Sequence, residues 1–201
     1  MKGTPPRMTS TADKTRLKAA PLELHGRSIA LVGLMGAGKT TIGRKLAQIL
    51  GLPFVDSDAE IERVSRMTVS ELFAAYGEPE FRALEARVVA RIAEEEPRVI
   101  GTGGGAYMNE ATRELLRERA YTVWLKADLD LLMERVSKRP TRPLLQAADP
   151  RAVMRELMDH RYPIYAQADL TVQSRNARRE TIAAEIVSAL RQKIEKDRQG
   201  R

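Results

Sequence analysis

A glycine-rich stretch between an apolar run and a helical pattern constrains the fold more than any other feature of the sequence. The stretch GLMGAGKTTIGRKLA occupies residues 33–47 and directly follows the run SIALV at 28–32. The short, β-branched run indicates a buried strand, and the apolar residues that come later recur at helical spacing as far as Gly51. The sequence therefore predicts a strand, a tight loop and a helix N-terminus in succession.

A loop of this kind is suited to hold an anion. Gly33, Gly36 and Gly38 allow a tight turn that points backbone N–H groups inward, and the positive end of the helix dipole faces the same space. The spacing from Gly33 through Gly38, Lys39 and Thr40 matches the phosphate-binding loop of nucleotide triphosphatases and kinases. In that motif the lysine reaches the outer phosphates and the hydroxyl residue binds Mg²⁺. A merely structural glycine turn is the alternative.

Strands and helices alternate along the rest of the chain. Strands are predicted at 28–33, 53–56, 98–101, 121–126 and 169–173. Helices are predicted at 39–50, 58–66, 69–76, 79–95, 110–119, 128–138, 150–166 and 178–196. This alternation predicts an α/β fold with a five-stranded parallel sheet flanked by helices, and an active cleft at the carboxyl ends of the strands.

Two segments fall outside this alternation. Residues 1–26 show no sustained periodicity and are interpreted as a flexible N-terminal extension to a single domain at 27–197. The loop at about 138–149 is rich in arginine and proline, which favours a mobile lid that closes on a bound triphosphate. An exposed basic loop is the alternative.

Composition narrows the classes of partner. The chain has no cysteine, which excludes disulfides, thiolate metal sites and a cysteine nucleophile. No apolar run approaches the roughly 20 residues that span a membrane, and the N-terminus lacks the apolar core of a secretory signal, so we expect a cytoplasmic protein without a membrane partner. The formal net charge is +7 but aromatic residues make up only 4%, which favours small anionic ligands over nucleic acid.

Charged side chains follow the second predicted strand and recur on a later helix. Asp56 and Asp58 are two residues apart, and in an extended backbone both carboxylates would face one way, as a Mg²⁺ or substrate site requires. Capping of the next helix by one of them is the alternative. Arg82 and Glu85 are three residues apart on a helix and by themselves indicate an ordinary surface ion pair. The core stripe of that helix is predicted to be Phe81, Leu84, Val88 and Ile92.

The stretch VIGTGGGAY follows the third predicted strand and contains four glycines in five residues. A core strand rarely opens into such a run unless the backbone must come close to something. The run does not match the dinucleotide fingerprint. A backbone shelf against a small polar substrate is the favoured interpretation, and a flexible linker is the alternative.

Taken in chain order, these motifs resemble those of the shikimate kinases. The matching stretches, spread over residues 28–166, are GLMGAGKTTIGRKLA, FVDSD, AYGEPEFRALE, GTGGG, TRPLL and HRYPIY. The resemblance implies a nucleoside-monophosphate-kinase-like fold and the ATP- and Mg²⁺-dependent phosphorylation of the shikimate 3-hydroxyl, on the route to chorismate and the aromatic amino acids. It implies ATP and shikimate as small-molecule partners. We expect a monomer that binds neither nucleic acid nor membrane.

The same resemblance assigns site residues position by position. The ATP phosphates would be held by Gly36, Ala37, Gly38, Lys39, Thr40 and Thr41, and Mg²⁺ by Thr40 and Asp56. Shikimate would be bound by Asp58, Arg82, Gly103, Gly104, Gly105 and Arg161, with substrate-binding helices at about 57–95. Arg135 would lie against the adenine, and Arg142 would be the lid arginine. Lys39, Asp58 and Arg142 would act in catalysis, with no covalent intermediate.

Some alternatives remain open. A kinase acting on gluconate or a nucleoside monophosphate would keep the phosphate loop and the lid, but would not need Asp58, Arg82 and the three glycines together. A nucleotide-dependent nucleic-acid binder would use the basic surface. A GTPase is excluded because the chain has no Asn-Lys-x-Asp motif.

Three further kinds of residue carry weaker signals. Trp124, inside the fourth predicted strand, is expected to belong to the core. The family often places an arginine against adenine after the last strand, and here Arg175, Arg178 and Arg179 offer no clear alignment. The two histidines, His25 and His160, lack a partnering pattern and are not expected to bind a metal.

Overall fold

The structure is a computed structural model that describes residues 22–138 and 148–200. The predicted N-terminal extension therefore lies outside the described residues except for 22–26. Most of the predicted lid, with Arg142, lies outside them as well.

Within the described residues, five strands form one parallel sheet. They are β1 (Ser28–Val32), β2 (Phe54–Asp56), β3 (Val99–Gly101), β4 (Ala120–Lys126) and β5 (Leu170–Gln173). The strand order is β2-β3-β1-β4-β5, and every neighbouring pair is parallel. The predicted α/β class and parallel sheet are confirmed, with each strand end within one residue of its predicted position.

Seven α-helices occur in the described part of the chain. They are α1 (Lys39–Leu50), α2 (Ser57–Ser65), α3 (Val69–Glu94), α4 (Glu110–Arg119), α5 (Leu129–Ser137), α6 (Pro150–Tyr165) and α7 (Arg179–Gln199). A short 3₁₀ helix at Ala106–Met108 was not predicted. None of these helices is long and apolar enough to cross a membrane.

Helix α3 consists of two segments that meet at Gly77. This glycine has φ 78° and ψ 174°, a region that is essentially restricted to glycine. Pro79 follows in the first turn of the second segment, where its missing N–H and fixed φ are tolerated. The prediction of separate helices before and after this point agrees with the break.

The sheet topology places the functional loops together. All five residues of β1 are buried, and β1 lies at the centre of the sheet. After β1 the chain moves to the β2 edge, whereas after β3 it crosses β1 to reach β4. Loops that leave in opposite directions open a crevice at the carboxyl ends of the strands. The glycine-rich loops after β1 and β3 both begin at this crevice, and Trp124 of β4 is buried in the core, as predicted.

The break in α3 leads to a stability prediction. We expect Gly77→Ala to lower the free energy of unfolding by about 1–3 kcal/mol, because alanine is strained at this φ and ψ and Pro79 prevents a continuous helix from forming instead. Gly51→Ala is the matched control, since Gly51 ends α1 in the left-handed region with φ 69° and ψ 28° and its replacement costs about 1 kcal/mol. Urea unfolding of the two variants and the wild type measures both effects. Equal stability of Gly77→Ala and the wild type would contradict the expected strain.

Candidate active site

The loop between β1 and α1 presents backbone donors to an open space. Gly36 and Gly38 have φ of 83° and 96°, and Gly38 precedes α1 with no side chain capping the helix. The N–H groups of the first turn therefore face the crevice together with the positive end of the helix dipole. Lys39 Nζ donates to the carbonyl oxygens of Gly33 and Leu34 at 2.7 and 2.9 Å, so its ammonium lies against the loop.

A cavity of about 400 Å³ adjoins this loop. Its lining includes these predicted site residues: Gly36, Gly38, Lys39, Thr40, Thr41, Asp56, Asp58, Gly104 and Arg135. It also includes residues that sequence reasoning did not assign: Met35, Ile42, Thr102, Val136, Lys138, Ala177, Arg179 and Ile182. The phosphate-loop motif did not indicate these additional residues. Most of them are distant from the loop in sequence and lie beside it only in the folded protein.

Asp56 connects the phosphate loop to the next helix. Its Oδ2 accepts a hydrogen bond from Thr40 Oγ1 at 2.7 Å, and its Oδ1 accepts one from the Asp58 backbone N–H at 3.1 Å as the N-cap of α2. The helix begins at Ser57, so the expectation that Asp56 and Asp58 share an extended backbone is wrong. Both residues nevertheless line the cavity. Thr40 and Asp56 together offer a hydroxyl and a carboxylate oxygen, the hard ligands that Mg²⁺ takes.

The three glycines after β3 form a shelf, Gly103 to Gly105, against the predicted shikimate-binding side chains. A Cβ added to Gly103 would lie 2.6 Å from Asp58 Oδ1 and would also collide with Glu85. A Cβ on Gly105 would collide with the Arg82 guanidinium, with 2.6 Å to Cζ. The backbone thus approaches a carboxylate and a guanidinium more closely than any residue with a side chain permits. The flexible-linker alternative does not fit this contact.

Helix α6 contacts the middle glycine of the shelf, Gly104, through two side chains. The carbonyl oxygen of Gly104 accepts hydrogen bonds from Arg161 Nη1 at 3.1 Å and from the Tyr165 hydroxyl. Tyr165 is fully buried, and this burial raises its pKa to about 12, so the hydroxyl stays neutral and remains a donor. Asp58, Arg82 and Arg161 therefore surround one short piece of backbone, although Arg82 and Arg161 do not line the main cavity.

The pair of Arg82 and Glu85 is not an ordinary surface ion pair. Glu85 is only 2% exposed, and its Oε2 accepts a hydrogen bond from Arg82 Nη1 at 2.8 Å. Burial raises the pKa of the Glu85 carboxyl group, the hydrogen bond from Arg82 partly offsets this rise, and the charge of Asp58 adds to it. Burial alone would lower the pKa of Arg82, but its bonds to Glu85 and Glu78 outweigh that effect and raise it. Arg82 therefore remains charged.

Arg135 joins the phosphate loop to the segment after β5. Its Nη1 donates to the Gly36 carbonyl at 3.1 Å and to Ser174 Oγ at 2.9 Å, and its Nη2 donates to the Arg175 carbonyl at 2.9 Å. Ser174 is buried, and its hydroxyl donates to the Ala37 carbonyl at 2.8 Å. These bonds hold the outer side of the loop in place and position Arg135 at the cavity wall.

The arginines after β5 have different surroundings. Arg175 is paired with Glu185 at 2.9 Å, and Arg178 occupies the N-cap position of α7. Arg179, together with Ala177, lines the cavity. Both histidines are exposed. No cluster of three or more His, Cys, Asp or Glu side chains that could hold a metal ion occurs in the described ranges.

Comparisons with known proteins point to one family. The family model described as shikimate kinase matches residues 35–191. The chain is 63% identical over 167 residues to a shikimate kinase of Mesorhizobium japonicum, covering 83% of this chain and 82% of that protein. It is 55% identical over 183 residues to a shikimate kinase of Rhizobium meliloti, covering 91% and 95%. The structure is similar to that of an Acinetobacter baumannii shikimate kinase in complex with shikimate, with a TM-score of 0.78, 38% identity, and coverage of 81% and 91%.

The glycine shelf makes a testable prediction about stability without ligand. Gly103→Ala and Gly105→Ala are expected to lower the free energy of unfolding by about 1–3 kcal/mol, because each added methyl group overlaps atoms of the charged side chains that pack on the shelf, Asp58 and Glu85 at Gly103 and Arg82 at Gly105. Gly104→Ala is the internal control, since its Cβ would meet its nearest neighbours at 3.7–3.8 Å, an ordinary contact distance. Denaturant unfolding of the three ligand-free variants gives the comparison. A loss for Gly104→Ala as large as for its two neighbours would show that the shelf is not packed as described.

Proposed function

The chain belongs to the shikimate kinase family, and from this premise we propose how its residues carry out the reaction. The reaction is the ATP-dependent phosphorylation of shikimate, on the route to the aromatic amino acids. The observation that supports the assignment best is the meeting of Asp58, Arg82 and Arg161 at the glycine shelf beside the phosphate loop. Two anion-binding regions lie side by side there, as a transfer between a nucleotide and a ring acid requires.

On the nucleotide side, Gly36 to Thr41 hold the ATP phosphates through backbone N–H groups and the N-terminus of α1. Lys39 exchanges its bonds to the loop carbonyls for bonds to the outer phosphates and stabilises the charge that develops on the γ-phosphoryl group. Arg135 lies against the adenine in this proposal. The position of Arg179 in the cavity wall makes it the best of the three arginines after β5 for a second adenine contact.

Thr40 and Asp56 are proposed to hold Mg²⁺. Their hydrogen-bonded oxygens lie beside the phosphate loop, and hydroxyl and carboxylate oxygens suit this ion when most of its other ligands are phosphate and water. When held by these residues, Mg²⁺ would supply positive charge that offsets the negative charge of the ATP phosphates.

On the acid side, Arg82 and Arg161 hold the shikimate carboxylate, because planar guanidinium groups bind carboxylates through paired hydrogen bonds. Asp58 and the backbone of Gly103 to Gly105 orient the hydroxyl groups. The 3-hydroxyl oxygen attacks the γ-phosphorus, the bond from that phosphorus to the leaving ADP oxygen breaks, and Asp58 accepts the hydroxyl proton. No covalent enzyme intermediate is needed.

Other parts of the proposal come from the sequence and the family. Residues 27–197 are proposed to form one kinase domain with a mobile lid at about 138–149, from which Arg142 contacts the transferred phosphoryl group. We also propose a cytoplasmic monomer that binds neither nucleic acid nor membrane.

The role of the acid site is tested by Asp58→Asn and Arg82→Ala. We expect Asp58→Asn to lower kcat by about 10²–10⁴-fold, as for a residue that orients and deprotonates the nucleophile. We expect Arg82→Ala to raise the KM for shikimate strongly, because one of the two guanidinium groups proposed to bind the carboxylate is lost. A coupled assay of ADP release measures both effects, and calorimetry should show that ATP still binds.

Exposed residues of the same types serve as controls for these variants. Asp159→Asn on α6 and Arg87→Ala on α3 should leave the kinetics as in the wild type. Shikimate turnover by Asp58→Asn or Arg82→Ala at nearly wild-type rates would remove the proposed acid site. Gluconate and AMP, assayed beside shikimate, test the related-kinase alternative, since turnover of either at a comparable rate would favour it.

The nucleotide side is tested by Lys39→Ala. We expect kcat to fall by at least about 10²–10³-fold, because the transition state loses a preorganised cation that the loop holds in place. Lys45→Ala is the control: its ammonium lies on the same helix but contacts Gln48 and Glu180. If the two variants had the same kcat, Lys39 would have no special part in phosphoryl transfer.

A further inference from the structure

Glu78 occupies one edge of the guanidinium that is proposed to bind the substrate. Arg82 Nε and Nη2 both donate to Glu78 Oε1, at 3.1 and 2.9 Å. Arg82 Nη1 donates to Glu85 Oε2 at 2.8 Å. A guanidinium offers a carboxylate pairs of neighbouring N–H groups, and the pair formed by Nε and Nη2 is the side-on fork. Without substrate, a glutamate of this chain therefore occupies that fork.

The two glutamates that contact Arg82 have opposite surroundings. The Glu85 side chain is 3% exposed, whereas the Glu78 side chain is 63% exposed. Removal of Glu85 would leave the partly buried guanidinium of Arg82 without its buried partner. Glu78 is different, because its carboxylate passes directly into water when it leaves Arg82 and needs no other element to move.

Arg82 is held in place without Glu78. The buried Glu85 fixes Nη1, the Gly105 backbone lies against the guanidinium, and the rings of Phe81 and Phe73 lie 5.3 and 5.7 Å from Cζ. Departure of Glu78 thus frees the side-on fork without releasing the side chain that carries it. Glu78 itself follows the break at Gly77, at the exposed start of the second segment of α3.

We propose that Glu78 is an internal competitor for the substrate carboxylate: it occupies Arg82 in the empty enzyme, shikimate displaces it, and the displacement sets the affinity for the acid. This inference rests on the proposed assignment of Arg82 to the shikimate carboxylate. Binding replaces the Glu78 carboxylate with the shikimate carboxylate on the same pair of N–H groups. The free energy gained from the new contact is therefore reduced by the free energy of the contact with Glu78 that is lost. Glu78 is in this sense a residue that tunes affinity and favours ligands with an anionic group able to displace it.

The test compares Glu78→Gln with Glu80→Gln. Both glutamates are exposed and lie in the first turn of the second segment of α3, so both substitutions remove the same charge from the same helix end. We expect Glu78→Gln to lower the KM and the calorimetric Kd for shikimate by about two- to fivefold, the range for a partly exposed ion pair. The effect is expected in KM rather than kcat, with the KM for ATP unchanged, and Glu80→Gln should keep the wild-type KM for shikimate.

The sign of the change separates the proposal from a structural role. If Glu78 merely oriented Arg82, its loss would raise the KM for shikimate, and a rise or an unchanged KM overturns the proposal. Glu78→Asp provides a second variant that keeps the charge but is one methylene shorter, and it is expected to lower KM in the same direction. The methyl ester of shikimate lacks the displacing charge, so its Kd should be the same for the wild type and Glu78→Gln.

The same variants distinguish a wrong assignment of Arg82 to the shikimate carboxylate from a wrong proposal that Glu78 competes for it. If Arg82→Ala leaves the KM for shikimate unchanged, Arg82 does not bind the carboxylate and the proposed acid site is wrong. If Arg82→Ala raises KM while Glu78→Gln behaves like Glu80→Gln, the acid site stands and the competition by Glu78 is overturned. In the Arg82→Ala background, Glu78→Gln should have lost its effect on KM.

Discussion

The uncapped N-terminus of α1 determines what the centre of this molecule can hold. Helices α2 to α6 each begin with a side chain that accepts a backbone N–H bond: Asp56, Thr68, Asn109, Asp128 and Asp149. Helix α1 has Gly38 at its N-cap and no such side chain. Helix α7, with Arg178 at its N-cap, also lacks one, but only α1 follows the buried central strand at the crevice. Because the N–H groups of a first helical turn need an acceptor, a phosphate is a natural partner for them. The buried central strand β1 fixes this helix end at the crevice, and the other site residues are arranged around it.

The proposed shikimate site depends on a different interaction, the ion pair between Arg82 and the buried Glu85. Placing Glu85 in the core carries a desolvation cost that the attraction to Arg82 only partly offsets, as the raised pKa of Glu85 indicates. A pair of this kind contributes little net stability, so its value lies in geometry. It holds a guanidinium against the backbone of Gly105, at the proposed shikimate site. The glycine shelf is needed for the same reason, since a side chain at Gly103 or Gly105 would occupy the space of these charges.

The sequence predicted the strands to within one residue, because short apolar runs and the glycines that end them are local signals. It was less successful on the second segment of α3. The predicted core stripe included Leu84, which is half-buried, and omitted Glu85, which is buried. Hydrophobic periodicity places charged residues outside, and nothing local shows that Asp58 and the glycine shelf will cover this face. The same limit applies to Asp58, whose place in the site depends on a helix that begins one residue earlier than the pattern suggested.

A single carboxylate links the phosphate loop to the helix that carries Asp58 of the proposed shikimate site. Asp56 takes the Thr40 hydroxyl on one oxygen and the first turn of α2 on the other, and α2 carries Asp58. Because the same carboxylate accepts both bonds, the position of Thr40 and the N-terminus of α2 are fixed relative to each other. Asp56 is therefore a direct hydrogen-bonded link between the phosphate loop and the helix that carries Asp58.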